Sequence, residues 1–375
     1  MTGQPNAPGR VLMTADTIGG VWTYAIDLAR ALGDEGIKVV LATMGRPAST
    51  GQRRDADAIA TLELVESPFR LPWMDDPWND VAAAGEWLLE LSSEVGPDVI
   101  HLNDPVHASL PWNAPVVAVG HSCVLSWWQA VWNAPAPASW DRYHREMRRG
   151  LAAADAVVAP SEPMLQALRH YYQVEHGHVI PNGRDPTHFR PGDKEALIFA
   201  AGRVWDPAKN LLALDKVAER LTWPVYVAGE PRHPDRADSA GTEHMCLLGC
   251  LDQEEIGLWL RRASIYAFPA RYEPFGLSVL EAALAGCALV LSDLPTLRQL
   301  WGGEAVFVDP DDPVTMRMAI QALIDDSRLR GTLAMRARRH ALTLTPRRMA
   351  LAYSQVYSTI MAQRNPVLER PACAS

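Results

Sequence analysis

The sequence lacks long apolar runs. Its most apolar stretch, Ala282–Leu291, spans ten residues, half of the roughly 20 that a membrane-spanning helix needs. Its opening, MTGQPNAPGR, carries no apolar core of the kind found in a signal peptide. Cysteine is scarce. The five cysteines, at 123, 246, 250, 287 and 373, are an odd number with no disulfide or zinc-cage spacing. Cys246 and Cys250 lie four apart, but no second pair or histidine couplet completes a ligand set. Reduced cysteines in a cytoplasmic protein are the simplest reading. Basic residues are in deficit, with 35 Lys and Arg against 44 Asp and Glu and a net charge of −9. That excludes a general nucleic-acid binder, which needs a positive field, and it disfavours purely electrostatic adhesion to an anionic membrane. A peripheral membrane contact stays open. No G-x-x-x-x-G-K-[ST] or G-x-G-x-x-G occurs, which weakens P-loop and dinucleotide readings.

What is present is an ordinary globular composition, 48% apolar and 21% charged, over 375 residues. That length predicts about two domains with ample core. Short apolar runs alternate with helical periodicity. In the first half the pattern predicts strands over 10–14, 38–43, 62–65, 98–102, 116–119 and 156–159, and helices over 20–33, 79–95, 141–152 and 161–172. It restarts after Val179-Ile-Pro-Asn-Gly183 and the polar connection through Pro191-Gly192-Asp193. In the second half it predicts strands over 197–201, 224–228, 245–248, 264–268, 288–292 and 305–308. Helices are predicted over 208–220, 252–262, 275–285, 313–326, 328–342 and 347–363, before a loose tail. Buried runs alternating with helices imply parallel sheets covered on both faces. The expectation is an α/β chain of two doubly wound domains, 1–181 and 182–345, followed by a segment 346–375. Ligands of such sheets bind beyond the carboxyl ends of the strands.

Four loops after strands stand out. In Phe268-Pro-Ala-Arg-Tyr-Glu-Pro-Phe-Gly-Leu-Ser-Val-Leu-Glu281 a strand enters a proline-broken loop and then a helix predicted to open near Phe275. A helix N-terminus holds phosphate, and Gly276 permits close backbone approach. Glu273 and Glu281 would repel a phosphate unless they bind hydroxyls beside it, which points to a diphosphate flanked by sugars. Apolar Val279, Leu280, Ala282, Ala283 and Leu284 argue against an exposed helix around Glu281. In Ala201-Gly-Arg-Val-Trp-Asp-Pro-Ala-Lys-Asn210, Arg203 and Lys209 are presented where they can clamp a diphosphate. Thr17-Ile-Gly-Gly-Val21 is a glycine turn before a helix, and His121 follows a strand in Val119-Gly-His-Ser122, with His101 and His107 as competitors.

Together these residues resemble the retaining GT-B glycosyltransferases of the glycogen-synthase-like family 4. The resemblance rests on Glu273 and Glu281 around Pro-Phe-Gly, on Gly202-Arg203 with Lys209, on Val179–Gly183, Gly19-Gly20 and His121, and on Ala154-Asp-Ala-Val-Val-Ala-Pro-Ser-Glu162. It covers about residues 10–345. It implies two Rossmann-like domains facing across a cleft, with the last helix crossing back to the first. It implies a nucleotide-diphosphate sugar as donor and a hydroxyl acceptor (glycan, lipid-linked sugar or small molecule), with no required cofactor and no metal. Arg203 and Lys209 would hold the diphosphate with backbone N–H groups near Phe275, Gly276 and Leu277. Glu281 would bind the ribose, Glu273 the transferred sugar, and His121 would line the sugar pocket. Gly19 and Gly20 would approach the donor phosphates, and the base would lie near Gly249–Leu251. Catalytic roles would fall to Glu273, His121, Arg203 and Lys209.

There are departures from the family pattern. Ala270 stands where many relatives have Ser, Gln299 stands where Glu is expected, and Lys209 lies one residue further from Arg203 than is common. A sugar phosphorylase, a nucleotide-sugar epimerase or a non-catalytic carbohydrate- or nucleotide-binding module are the competing readings. Asp55-Ala-Asp57 and Asp309-Pro-Asp311 match a metal-binding Asp-x-Asp by letter only. Nine of thirteen tryptophans lie in the first half. Trp22, Trp127, Trp128 and Trp132 are candidates for an acceptor cleft, against core packing as the plainer role. The Arg142–Arg149 segment reads as a solvated helix face.

Overall fold

The structure, a computed structural model, describes residues 7–231 and 241–364. The tail and Cys373 lie outside the described residues. The first sheet has β1 (Arg10–Asp16), β2 (Lys38–Met44), β3 (Leu62–Glu66), β4 (Val99–Leu102), β5 (Val116–Val119), β6 (Ala156–Ala159) and β7 (His178–Val179), all parallel, in the order β3-β2-β1-β4-β5-β6-β7. The second has β8 (Glu195–Ala201), β9 (Val225–Ala228), β10 (Cys246–Gly249), β11 (Ala263–Phe268), β12 (Ala288–Ser292) and β13 (Ala305–Val308), also parallel, in the order β10-β9-β8-β11-β12-β13. The strand order reverses between β1 and β4 and again between β8 and β11. Those two points open a crevice at the carboxyl edge of each sheet.

Strand alternation explains the layers. Val11, Val39 and Val99 face one side of the first sheet, where helices Gly20–Asp34 and Pro346–Arg364 cover them. Leu12, Val40 and Ile100 face the other side, under helices Trp78–Val95, Asp141–Ala153 and Glu162–Tyr172. In the second sheet Phe199 and Tyr266 face helices Leu277–Leu284 and Ser327–Ala341, and Ile198 and Ile265 face Leu212–Ala218 and Pro313–Asp325. The last helix therefore packs on the first domain, through Tyr353, Val356, Tyr357 and Ile360.

Some expectations about elements change. The helix expected over 208–220 is shortened to Leu212–Ala218. Before it, Asn210 takes φ +53 and its amide donates to the carbonyls of Pro269 and Pro310, which holds the preceding loop out of helical geometry. The helix expected near Phe275 starts at Leu277, because Gly276 is left-handed at φ +90. Helices Thr50–Asp57, Val124–Trp132 and Pro295–Trp301 are additional.

The connection between the sheets is tightly built. A Cβ on Gly183 would lie 2.2 Å from the Thr345 carbonyl carbon, so this crossing admits only glycine. The next residue, Arg184, donates its backbone N–H to Leu344. Its side chain, 3% exposed, pairs with Asp27 of helix Gly20–Asp34 at 2.5 Å and with Glu281 of helix Leu277–Leu284 at 2.8 Å. It also donates to Gln253 at 3.0 Å and lies over the Phe189 ring. One buried guanidinium thus joins both halves. Replacing it by Met leaves two buried carboxylates without a partner. Arg184→Met is expected to cost about 3–5 kcal/mol in urea unfolding, and Asp27→Asn added to it should recover part of the loss. A cost below about 1 kcal/mol would show the triad to be energetically idle.

Candidate active site

The carboxyl end of β11 carries the glutamate loop. Glu273 accepts from the N–H groups of Gly276 at 2.8 Å and Phe275 at 3.3 Å with one oxygen. With the other it accepts from Lys209 Nζ at 2.7 Å. The loop is tied to the end of β8 by Arg271 and Tyr272, whose N–H groups meet the Ala208 carbonyl. Arg203, at the β8 end, is held by Asp206 at 2.6 Å, and Asp206 is itself buried and accepts from Ala208 N–H. Glu273, Lys209 and Arg203 therefore gather at the second sheet's reversal point. Glu281 is 13% exposed and its Oε1 meets Arg184. Phe275 is buried, and Leu277 opens the helix across from the first domain. A Cβ on Gly20 would come within 3.3 Å of Leu277 Cδ1, so the Gly19-Gly20 turn faces the helix N-terminus directly. Gly19 is its cap residue at φ +87. Leu251 lies half-buried just past β10, beside Gly249 at φ +74.

On the first domain, His121 follows β5 and is half-buried. Its Nε2 donates to Asn103 Oδ1 at 2.7 Å, and Tyr24 packs edge-on at 4.5 Å between centroids. Asn103 is fixed by donating from Nδ2 to the Thr14 carbonyl. His101 Nε2 meets the same Oδ1 at 3.2 Å, while its Nδ1 accepts from Tyr357 of the last helix at 2.6 Å. Burial lowers the pKa of both His101 and His121 to about 3, so both rings are neutral. His101 is fully buried and bonded to Asn103, and His107 is buried with Nε2 on the Val81 carbonyl. Neither competitor reaches the cleft directly.

Contacts across the cleft bring the halves together. Tyr272 Oη accepts from Cys123 N–H at 2.9 Å and from Ser126, Ser161 donates to the Pro274 carbonyl, and Gln299 accepts from Glu162 N–H at 3.0 Å. Gln299 thus closes the first turn of helix Glu162–Tyr172, a role that needs only its carbonyl oxygen.

The tryptophan reading needs a correction. Trp22 is 5% exposed in the core with Tyr24 and Ala25, because its helix turns that side onto the sheet. It presents no face to an acceptor. Trp127 and Trp128 are half-buried on helix Val124–Trp132 and pack edge to face on each other at 5.6 Å, with exposed Trp132 beside them. The Arg142–Arg149 segment is a helix face. Arg142 lies over the Trp78 ring, and Arg149 pairs with Glu146 and Ser109. The second letter match to Asp-x-Asp is engaged within the fold: Asp311 pairs with Arg271 at 2.6 Å, and Asp309 accepts from Asp311 N–H.

Sequence reasoning missed Arg184, Asp27, Asn103, Tyr357 and two carboxylates at the first sheet's reversal point, Asp16 and Asp104. Asp16 ends β1 and accepts from Ile18 N–H at 2.8 Å, and Asp104 follows β4 and accepts from Val106 N–H at 3.2 Å. Burial pushes the Asp16 carboxyl up to about 7, with Asp104 adding to the rise and Arg203 opposing it.

Residues 18–188 match the family described as Glycosyltransferase Family 4, and residues 195–326 match the one described as Glycosyl transferases group 1. The chain is 26% identical to D-inositol 3-phosphate glycosyltransferase of Xylanimonas cellulosilytica, over 92% of this chain and 93% of that protein. It is 27% identical to phosphatidyl-myo-inositol mannosyltransferase of Mycolicibacterium smegmatis, over 86% of this chain and 85% of that one. Among solved structures, sucrose-phosphate synthase from Thermosynechococcus elongatus superposes with a TM-score of 0.77 at 19% identity, over 94% of this chain and 99% of that one. HepE of Anabaena, in complex with UDP and glucose, superposes with a TM-score of 0.73 at 15% identity, over 93% and 99%. At those identities the likeness is one of fold.

The Asp16 carboxyl yields a pH prediction. The fold keeps its proton up to about pH 7, whereas an unfolded aspartate gives it up near pH 4. Between those values the folded chain binds the extra proton, so wild-type stability falls as pH rises and levels off above about 7. Relative to Asp16→Asn, urea unfolding should show wild type losing up to about 1.4 kcal/mol per pH unit in that window. A gap between the two proteins that stays constant with pH would contradict a buried, proton-retaining Asp16.

Proposed function

Because this chain belongs to the family 4 glycosyltransferases of the GT-B fold, we propose that it is a retaining hexosyltransferase. It takes a sugar from a nucleotide-diphosphate donor and passes it to an acceptor hydroxyl without a metal ion. The observation that carries this reading is the Lys209–Glu273 pair at the β8–β11 reversal point, facing the Gly19-Gly20 turn. Lys209 and Arg203 supply the positive charge a diphosphate needs, and the N-terminus of helix Leu277–Leu284 adds its free N–H groups. Glu281 keeps one oxygen on Arg184 and offers the other to ribose hydroxyls. UDP bound in HepE is consistent with such a donor.

Glu273 has both oxygens engaged, one by two backbone N–H groups and one by Lys209. That disfavours it as an attacking nucleophile and suits it to orient the transferred sugar. In the retaining route the bond from the anomeric carbon to the leaving phosphate breaks first. The acceptor oxygen then bonds to the same face of the oxocarbenium-like ion, and its proton passes to the departing phosphate. The protein positions the reactants and stabilises charge. Neutral His121, donating from Nε2 to Asn103, has Nδ1 left as an acceptor for a sugar hydroxyl. The expected setting is the cytoplasm, and among the described residues no helix is long and apolar enough to cross a membrane.

A panel of UDP-, GDP-, ADP- and TDP-sugars tests the reading by thermal shift and donor hydrolysis. One donor should raise the melting temperature and be hydrolysed slowly, unaffected by EDTA. Glu281→Ala should abolish the shift. Lys209→Ala should lower turnover by about 10²–10³ while the protein stays folded. With an acceptor, NMR of the product should show the donor's anomeric configuration kept. A response to inorganic phosphate in place of a nucleotide sugar, or to no donor at all, would overturn the proposal.

A further inference from the structure

A cavity of about 110 Å³ lies in the first domain, at the carboxyl ends of β1, β4 and β5. It sits where the sheet order reverses, beside His121 and therefore beside the reacting sugar of the function proposed above. One wall is Leu71, Trp73, Tyr143 and Met147, a largely apolar surface. The other is polar and made by Asp16, Asn103, Asp104 and His121. Among the described residues that line it there is no lysine or arginine.

The charge of this wall is one-sided. Asp16 and Asp104 each spend one oxygen on a backbone N–H two residues ahead. The second oxygen of each has no hydrogen-bond partner among the described residues. Neither carboxylate forms an ion pair within the cavity, and His121, with Nε2 committed to Asn103, carries no compensating charge. Burial raises the pKa of both carboxyls. Above about pH 7, where Asp16 has given up its proton, a partly open site of this kind accepts hydrogen bonds, favours hydroxyl or ammonium donors and repels anions. Trp73 and Tyr143 supply the apolar faces on which the C–H side of a polyol ring packs.

Resting on the transferase reading, we infer that this cavity is the acceptor subsite and that it takes a polyhydroxylated acceptor, neutral or amine-bearing, without a phosphate at the bound end. In this the chain departs from the relatives whose names specify an inositol phosphate or a phosphatidylinositol. Asp16 and Asp104 are the residues that set the discrimination. Above about pH 7 a phosphate monoester in the cavity would meet the ionised Asp16 and the carboxyl oxygens of Asp104, with no cation beside them.

The test uses matched pairs: myo-inositol with its 3-phosphate, glucose with glucose 6-phosphate, and glucosamine with glucosamine 6-phosphate. Binding to the intact chain is read without donor, by calorimetry and by the fluorescence change that Trp73→Phe removes. It is read again as acceleration of nucleotide release from the donor. At least one unphosphorylated member should bind, with its phosphate ester at least tenfold weaker. Asp104→Asn and Asp16→Asn should each narrow that ratio threefold or more, with the thermal shift by donor retained. Equal or tighter binding of the phosphate ester, no binding by any unphosphorylated member, or a ratio unchanged in both variants would overturn the inference. Binding without donor judges the cavity even if no nucleotide sugar is turned over. Failure of the cavity and failure of the transferase reading are therefore separate results.

Discussion

The guanidinium of Arg184 is the constraint on which the rest of the arrangement depends. It leaves the connection between the two sheets and meets a carboxylate from each side, Asp27 of the first domain and Glu281 of the second. Burial raises the pKa of both carboxyls, and the guanidinium opposes that rise. Each charge is tolerable only because the others are there. The same residue is anchored through its backbone to Leu344, and its neighbour Gly183 fits against Thr345 with no room for a side chain. The link between domains, the start of the last helix and the orientation of Glu281 are therefore one packing problem. A change at the linker reaches Glu281 without passing through solvent.

A second line of coupling runs from the last helix to the cleft. Tyr357 donates to His101, His101 and His121 both bond to Asn103, and Asn103 is pinned to the β1 backbone through Thr14. The chain returns to the first domain to supply the hydroxyl that fixes a histidine tautomer. Asn103 Oδ1 can only accept, so His121 presents Nε2–H to it, which leaves Nδ1 of His121 as the ring nitrogen able to accept from a ligand. Removing water from both rings keeps the two histidines neutral across the neutral range.

The strands and most long helices were readable because their apolar runs and periodicity are local. The helix Thr50–Asp57 is polar, and Val124–Trp132 is apolar on most sides with no fully buried residue, so neither shows a clean one-faced pattern. Glu273, Lys209 and Arg203 were readable because two loops at adjacent strand ends hold all three. Arg184 and Asp27 were not, since 157 residues separate them, and His101 and Tyr357 are 256 apart. No spacing rule spans such distances, and only the fold brings them together. Trp22 misled for a related reason: residue type suggests a sugar platform, but the helix register decides which side it shows. Asp16 and Asp104 had a usable signal. Asp16 ends and Asp104 follows the strands between which the sheet order reverses, but that order is visible only once the strands are paired.

The two reversal points carry opposite charge, and this ordering is a physical argument about how the cleft sorts its ligands. The second domain presents Arg203 and Lys209 with a helix N-terminus, and the first presents Asp16 and Asp104 with neutral His121. On the function proposed above, a diphosphate would be drawn to the cationic side. Hydroxyl donors are favoured on the acidic side. The two sides are close enough to sense each other, since Arg203 lowers the proton affinity of Asp16 across the cleft.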